Sequence, residues 1–131
     1  DSNGPRGPHG SIYSGLLVDN YEMSSGRRES QRTYALCYRC HERSSILANE
    51  SFSFHALHIE GNGTRDFPGT SCYSCHDAHG SSVNQYLIRF NTNVVSPNVA
   101  GDLKCKATGV ASRHGSCALS CHGVEHEPKT Y

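Results

Sequence analysis

The sequence predicts a fold made mostly of irregular backbone with a few short α-helices, and three observations predict it. Leu, Ile, Val and Phe together make up fewer than a fifth of the 131 residues. With a mean hydropathy of −0.58, that leaves too little apolar surface to offset the entropy of ordering such a chain. Lys+Arg and Asp+Glu nevertheless balance at 12 each, and Pro is only 5, so the composition is not the self-repelling kind that stays disordered. The third observation is the supply of cross-linking side chains, 7 Cys and 9 His. A small chain short of apolar residues is expected to draw its interior from disulfides, metals or a bulky apolar cofactor.

Charge and hydropathy exclude several functions. A formal net charge of zero, with no basic cluster beyond Arg27-Arg28, argues against electrostatic binding to nucleic acid or an anionic membrane. No apolar run has the length of a membrane span, and the opening Asp-Ser-Asn-Gly-Pro has neither the charged start nor the apolar stretch of a leader. If the protein is exported, the expectation is that this is the mature chain.

Cysteine and histidine spacing carries the chemistry. The units Cys37-Tyr-Arg-Cys40-His41, Cys72-Tyr-Ser-Cys75-His76 and Cys117-Ala-Leu-Ser-Cys121-His122 each place histidine directly after the second cysteine. C-x-x-C-H is the attachment signature of c-type haem. Residues i, i+3 and i+4 share one face of a helical turn, so two sulfurs can bond the vinyl edges while the imidazole reaches the iron. The third unit has one residue more, and on a helix i and i+4 still share a face. Structural zinc would leave the three adjacent histidines unexplained. A disulfide scaffold fits poorly with an odd cysteine count in near-neighbour pairs, and no βαβ pattern surrounds a pair to suggest thioredoxin-like chemistry. Cys105 has no partner at motif spacing and reads as a free or capped thiol in a loop, with an intermolecular disulfide or an extra haem contact as the alternatives.

With His41, His76 and His122 as proximal ligands, six histidines remain for three open axial positions: His9, His55, His58, His79, His114 and His126. That surplus predicts bis-histidine iron with no vacancy for a substrate. His79 and His126 follow a proximal histidine too closely to cap the same iron, so each is expected to serve a neighbouring haem. His58 is favoured over His55, three residues away; His114, just before Cys117, reads as the bystander. His9 could ligate a haem of an adjacent subunit. Met23, the only methionine, reads as a solvent-side residue.

Taken in order, residues 1–29 are rich in Gly, Ser and Asn and read as an extended N-terminal arm. Residues 30–131 read as a single domain holding three haems. Residues 29–43 lack Gly and Pro and predict a helix of a few turns carrying the first unit. A second short helix is expected over 54–59, broken by Gly61-Asn-Gly63. The second unit sits in a tight Gly/Ser setting. Residues 85–90 are the best apolar segment and are expected as a short strand or extended stretch against a haem face. Residues 91–113 read as polar loop, and a helical turn is expected at 117–122. Asn49 and Asn62 head glycosylation sequons.

The segments Leu-Cys-Tyr-Arg-Cys-His (36–41), Phe-His-Ala-Leu-His (54–58), Cys-Tyr-Ser-Cys-His-Asp-Ala-His-Gly-Ser (72–81) and Gly-Ser-Cys-Ala-Leu-Ser-Cys-His-Gly-Val-Glu-His (115–126) resemble bacterial multihaem cytochromes c with a doubled CxxCH motif. The likeness covers most of 34–126. It implies a multihaem cytochrome c fold wrapped around a haem-stack core, export to the periplasm or cell exterior, and bis-histidine haems in stacked pairs. It also implies respiratory electron transfer with redox partner proteins or extracellular acceptors, and some similar cytochromes polymerise into conductive filaments. The extra residue in the third unit and the unpaired Cys105 depart from the pattern. The expectation is thus an electron carrier with three haems at Cys37/Cys40, Cys72/Cys75 and Cys117/Cys121. The competing class is a multihaem reductase with one open iron.

Overall fold

The computed structural model describes residues 10–82, 84–108 and 114–131. Its most regular part is a four-stranded antiparallel sheet late in the chain. The strands are β1 (Val95–Ser96), β2 (Lys104–Ala107), β3 (Gly115–Cys121) and β4 (Val124–Thr130), and β3 pairs with each of the other three. β1 and β2 follow one another along β3, with Val95 opposite Cys121, and Lys104 to Ala107 opposite Ala118 to Gly115. β4 returns along the other edge through a two-residue turn, His122-Gly123, closed by the pair Cys121 and Val124.

This sheet overturns the expectation of irregular backbone with a few short α-helices wrapped around a haem stack. The stretch 91–113, expected as polar loop, contains β1 and β2, and 117–122, expected as a helical turn, is the end of β3 and its hairpin turn. The physical reason lies in turn chemistry and strand length. His122 and Gly123 both take positive φ, 51° and 76°, the pattern that joins twisted antiparallel strands in a type I′ turn. Gly adopts it without cost, and His is among the side chains enriched there. A strand of four residues, Lys-Cys-Lys-Ala, is too short for its alternation to stand out. On β4 two residues, Glu127 and Pro128, oppose the single Ala118. Pro128, which has no N–H to give a ladder, thus stands at a bulge on a strand edge.

Cys105 and Cys117 are directly opposed in register and joined by a disulfide. This corrects the expectation of an unpartnered Cys105. Closing a loop with a sequence separation of 12 stabilises the fold by about 3 kcal/mol on chain entropy.

Upstream, α1 (Arg43–Leu47) starts at Glu42, whose carboxylate accepts from the Ser44 amide. The helix expected over 54–59 forms as α2 (His55–Glu60) and stops at Gly61. There φ is +76°, and a Cβ would lie 2.2 Å from the Phe67 carbonyl, so only glycine permits the chain to fold back. The helix expected over 29–43 does not form. Ser30 Oγ accepts from the Thr33 amide at 3.1 Å, and Thr33 Oγ1 donates to the Arg28 carbonyl at 3.0 Å. These local bonds compete with a helical ladder, and only a 3-10 turn at Cys37–Arg39 follows. Residues 85–90, expected as extended, open with a 3-10 turn at Gln85–Leu87.

The buried apolar set among the described residues is Tyr34, Ile59, Val95, Ala118 and Leu119, joined by buried Thr70, Ser71, Ser74 and Asn98. Nearly half of this interior is polar, as the composition implies. No helix among the described residues is long and apolar enough to cross a membrane.

Candidate functional site

The first two cysteine–histidine units adopt the same local shape. In one, the Cys40 and His41 amides donate to the Cys37 carbonyl at 3.2 and 3.1 Å; in the other, the Cys75 and His76 amides donate to the Cys72 carbonyl at 3.2 and 2.8 Å. Each unit is therefore a single helical turn. Cysteine, cysteine and histidine face one way, because i, i+3 and i+4 share a side.

Side-chain anchors hold both turns in place. Behind the second, Thr70 Oγ1 and Ser74 Oγ are 2.6 Å apart, Ser25 Oγ lies 2.8 Å from Thr70 Oγ1, and Ser71 Oγ donates to the Met23 carbonyl at 2.9 Å. Residues 23–25 are in this way tied into the domain. Behind the first, Glu29 accepts from Tyr38 Oη at 2.9 Å and from Arg43 Nε at 2.9 Å, with a second bond from Arg43 Nη2.

The Arg43 guanidinium holds the Glu29 carboxyl below its ordinary value, Tyr38 assisting and burial opposing. With the folded value below the unfolded one, this contribution is present above the unfolded value and lost as pH falls through the folded one. Glu29→Gln is thus expected to lower the thermal midpoint at neutral pH. The gap from the parent should begin to narrow as pH falls through the ordinary glutamate value of about 4.3 and close only below the lowered folded value. Thermal scans across pH check this, and a gap independent of pH counts against it.

The two turns lie close enough for their leading cysteines to act on each other: the Cys37 thiol, with burial, pushes the Cys72 thiol up and holds it protonated. Burial, with Cys121 nearby, pushes the Cys75 thiol up to about 12. Histidines gather at the same place. The His55 and His76 rings are 6.4 Å apart, centre to centre. Burial, with His76, His58 and His41 close by, holds the His55 imidazole down at about 4. Burial also lowers His76, with His41 adding to it, and lowers His126, with His58 adding to it. Phe52 packs 5.1 Å from the His55 ring and 5.7 Å from the His58 ring, and Phe67 stands 6.4 Å from His58. Lowered values favour the uncharged form of the half-buried His55, His76 and His126 at neutral pH, the form that binds a metal.

Several rings are oriented by hydrogen bonds. His76 Nδ1 lies 2.8 Å from the Tyr86 carbonyl, and His58 Nδ1 is 2.8 Å from the Phe54 carbonyl. A carbonyl only accepts, so Nδ1 donates and Nε2 keeps its lone pair, the arrangement that orients metal-ligating histidines. His79 Nδ1 is 3.2 Å from Asp77 Oδ1 on an exposed side chain. It borders a cleft of about 620 Å³ with Ser82, Asn84 and Arg89. His114 has the same feature, with Nδ1 3.1 Å from the Tyr131 carbonyl. Its spacing before Cys117 gave no sign of this, because the partner is 17 residues away. His9 lies outside the described residues. Among the described residues no three or more of His, Cys, Asp and Glu are grouped to hold a bare metal ion.

The third unit is built differently. Cys117 lies mid-strand between Cys105 on β2 and Lys129 on β4 and is bonded to Cys105. Cys121 ends the strand, and exposed His122 tips the hairpin. A strand rises about 3.3 Å per residue against 1.5 Å in a helix. Cys117 and Cys121 are thus spread over about 13 Å rather than about 6 Å. The donor set of the first two units fits a thioether-bound haem with a histidine on the same face; that of the third does not. Comparison with protein-family models, curated proteins and solved structures finds no match.

Proposed function

We propose that the chain is an electron-transfer protein of the doubled CxxCH multihaem cytochrome c type. Cys37 and Cys40, and Cys72 and Cys75, would hold haem through thioethers, His41 and His76 would ligate its iron, and His58 and His79 are the oriented candidates for a second histidine ligand. The observation that carries this reading is the pair of matching Cys-x-x-Cys-His turns, with the His55 ring 6.4 Å from the His76 ring of the second. When bound, haem iron supplies a one-electron couple tuned by its axial ligands, burial and hydrogen bonding.

The chain's own residues do the rest. The hydroxyl cluster of Ser25, Thr70 and Ser74 fixes the second turn, and the Glu29 bonds to Tyr38 and Arg43 fix the end of the first. The Tyr86 and Phe54 carbonyls aim His76 and His58, and burial lowers the His76 imidazole so that it does not compete for protons. Because the turns are immediate neighbours, the two groups are held in one body, as a relay needs. The Cys105–Cys117 disulfide supports an oxidising compartment, the periplasm or cell exterior. Redox proteins or extracellular acceptors are then the partners, and polymerisation through His9 would be visible by electron microscopy.

The purified protein is expected to show haem absorption that survives denaturation and a low-spin ferric resonance. A denatured mass equal to the bare polypeptide overturns the reading. A dominant high-spin ferric signal replaces it with a reductase.

A further inference from the structure

We propose that the chain carries two haems and one structural disulfide: the third cysteine–histidine unit, residues 117–122, is a stapled β-hairpin in the mature protein, and Cys105 is the covalent partner of Cys117. The inference rests on the electron-transfer reading only in that haem occupies the first two units.

Valence is the first argument. A thioether sulfur uses both bonds, one to Cβ and one to the porphyrin side chain, and a disulfide sulfur also uses both. Cys117 can therefore serve Cys105 or a haem, not both, and the fold brings Cys105 to it. The two are directly opposed across the β2–β3 ladder and bonded.

Backbone shape is the second. In the first two units the histidine amide donates to the carbonyl of the leading cysteine, which closes the turn that gathers all three side chains. In the third, the leading cysteine lies in a strand flanked on both edges, and Leu119 and Ser120 pair with His126 and Glu125. Curling 117–122 into a helical turn would unzip β3 from β4 and lose the register that buries Ala118 and Leu119. His122 and Gly123 are spent on the turn, at φ 51° and 76°.

Cysteine arithmetic is the third. Of 7 cysteines, four go to thioethers and two to the disulfide, which leaves Cys121 beside Cys75. The odd count follows. Chemically, each thioether forms by adding S–H across a vinyl double bond, with no net electron change. The disulfide forms as two thiols pass two protons and two electrons to an oxidising disulfide of the exported compartment, which becomes a dithiol.

The test is the denatured mass of the holoprotein together with alkylation by iodoacetamide. Expected is the polypeptide plus two haems less two hydrogens, with one cysteine alkylated before reduction and three after it, mapping to Cys105, Cys117 and Cys121. A mass with three haems overturns the proposal. So does alkylation of Cys105 without reduction. The variant Cys105→Ser separates valence from backbone shape: it is expected to keep two haems, expose two alkylatable cysteines without reduction and melt at a lower temperature. A third haem in that variant overturns the claim that the strand excludes attachment. Protein without any haem fails the electron-transfer reading instead, and is told apart by its bare mass.

Discussion

Replacing Cys72 and Cys75 together by serine is expected to remove about half of the haem absorbance that survives denaturation, leaving the group at Cys37 and Cys40. Serine keeps the size of the side chain and leaves the hydroxyl bonds of Thr70, Ser71 and Ser74 untouched. Loss of folding is therefore not the first consequence of the change; loss of covalent attachment is. The companion variant His76→Met separates attachment from ligation. It should retain full haem absorbance after denaturation and raise the potential of one centre, because a thioether axial ligand favours the reduced iron. Denaturing gel staining for haem and a redox titration read these outcomes. Unchanged haem content in the double-serine variant would remove the second unit as an attachment site.

Tyr34→Ala is expected to cost about 3–5 kcal/mol, the range for deleting a large buried aromatic side chain. Tyr34 is 0% exposed, meets the Tyr38 ring edge-on at 6.4 Å and reaches the Thr70 carbonyl with its hydroxyl at 3.4 Å. It is the largest wholly buried side chain of a small interior, so its loss consumes much of the 5–15 kcal/mol by which domains are ordinarily stable. Because it lies between the first unit and the Thr70 carbonyl, both attachment turns should loosen together. Tyr34→Phe keeps the ring and gives up only a long hydrogen bond, at about 1 kcal/mol or less. Urea unfolding of the three proteins checks the order; equal midpoints for Tyr34→Ala and the parent would contradict it.

What could be read directly from the chain was local. Cys72, Cys75 and His76 can share a face only if the backbone turns once, and that turn forms with both amides on the Cys72 carbonyl. α2 and its stop at Gly61 were legible for the same reason, since a helix over 55–60 and a glycine at positive φ involve neighbours in sequence. The scarcity of aliphatic residues announced a thin interior, and among the described residues five apolar ones are buried. The sheet was not legible. β1 has two residues and β2 four, and the His122-Gly123 turn is spelled with the letters of an attachment unit. Nor could Cys105 be matched to Cys117, because no spacing rule links two strands joined by residues 108–114.

The sequence by itself determined that the two cysteines and the histidine of each of the first two units share one face, because a helical turn is decided by residues three and four apart. Only the tertiary structure decided that the third unit is a hairpin, that Cys117 bonds Cys105, and that His55 stands beside His76. Those outcomes depend on strand register and on which surfaces meet, and non-local pairing leaves no mark in the spacing of neighbours.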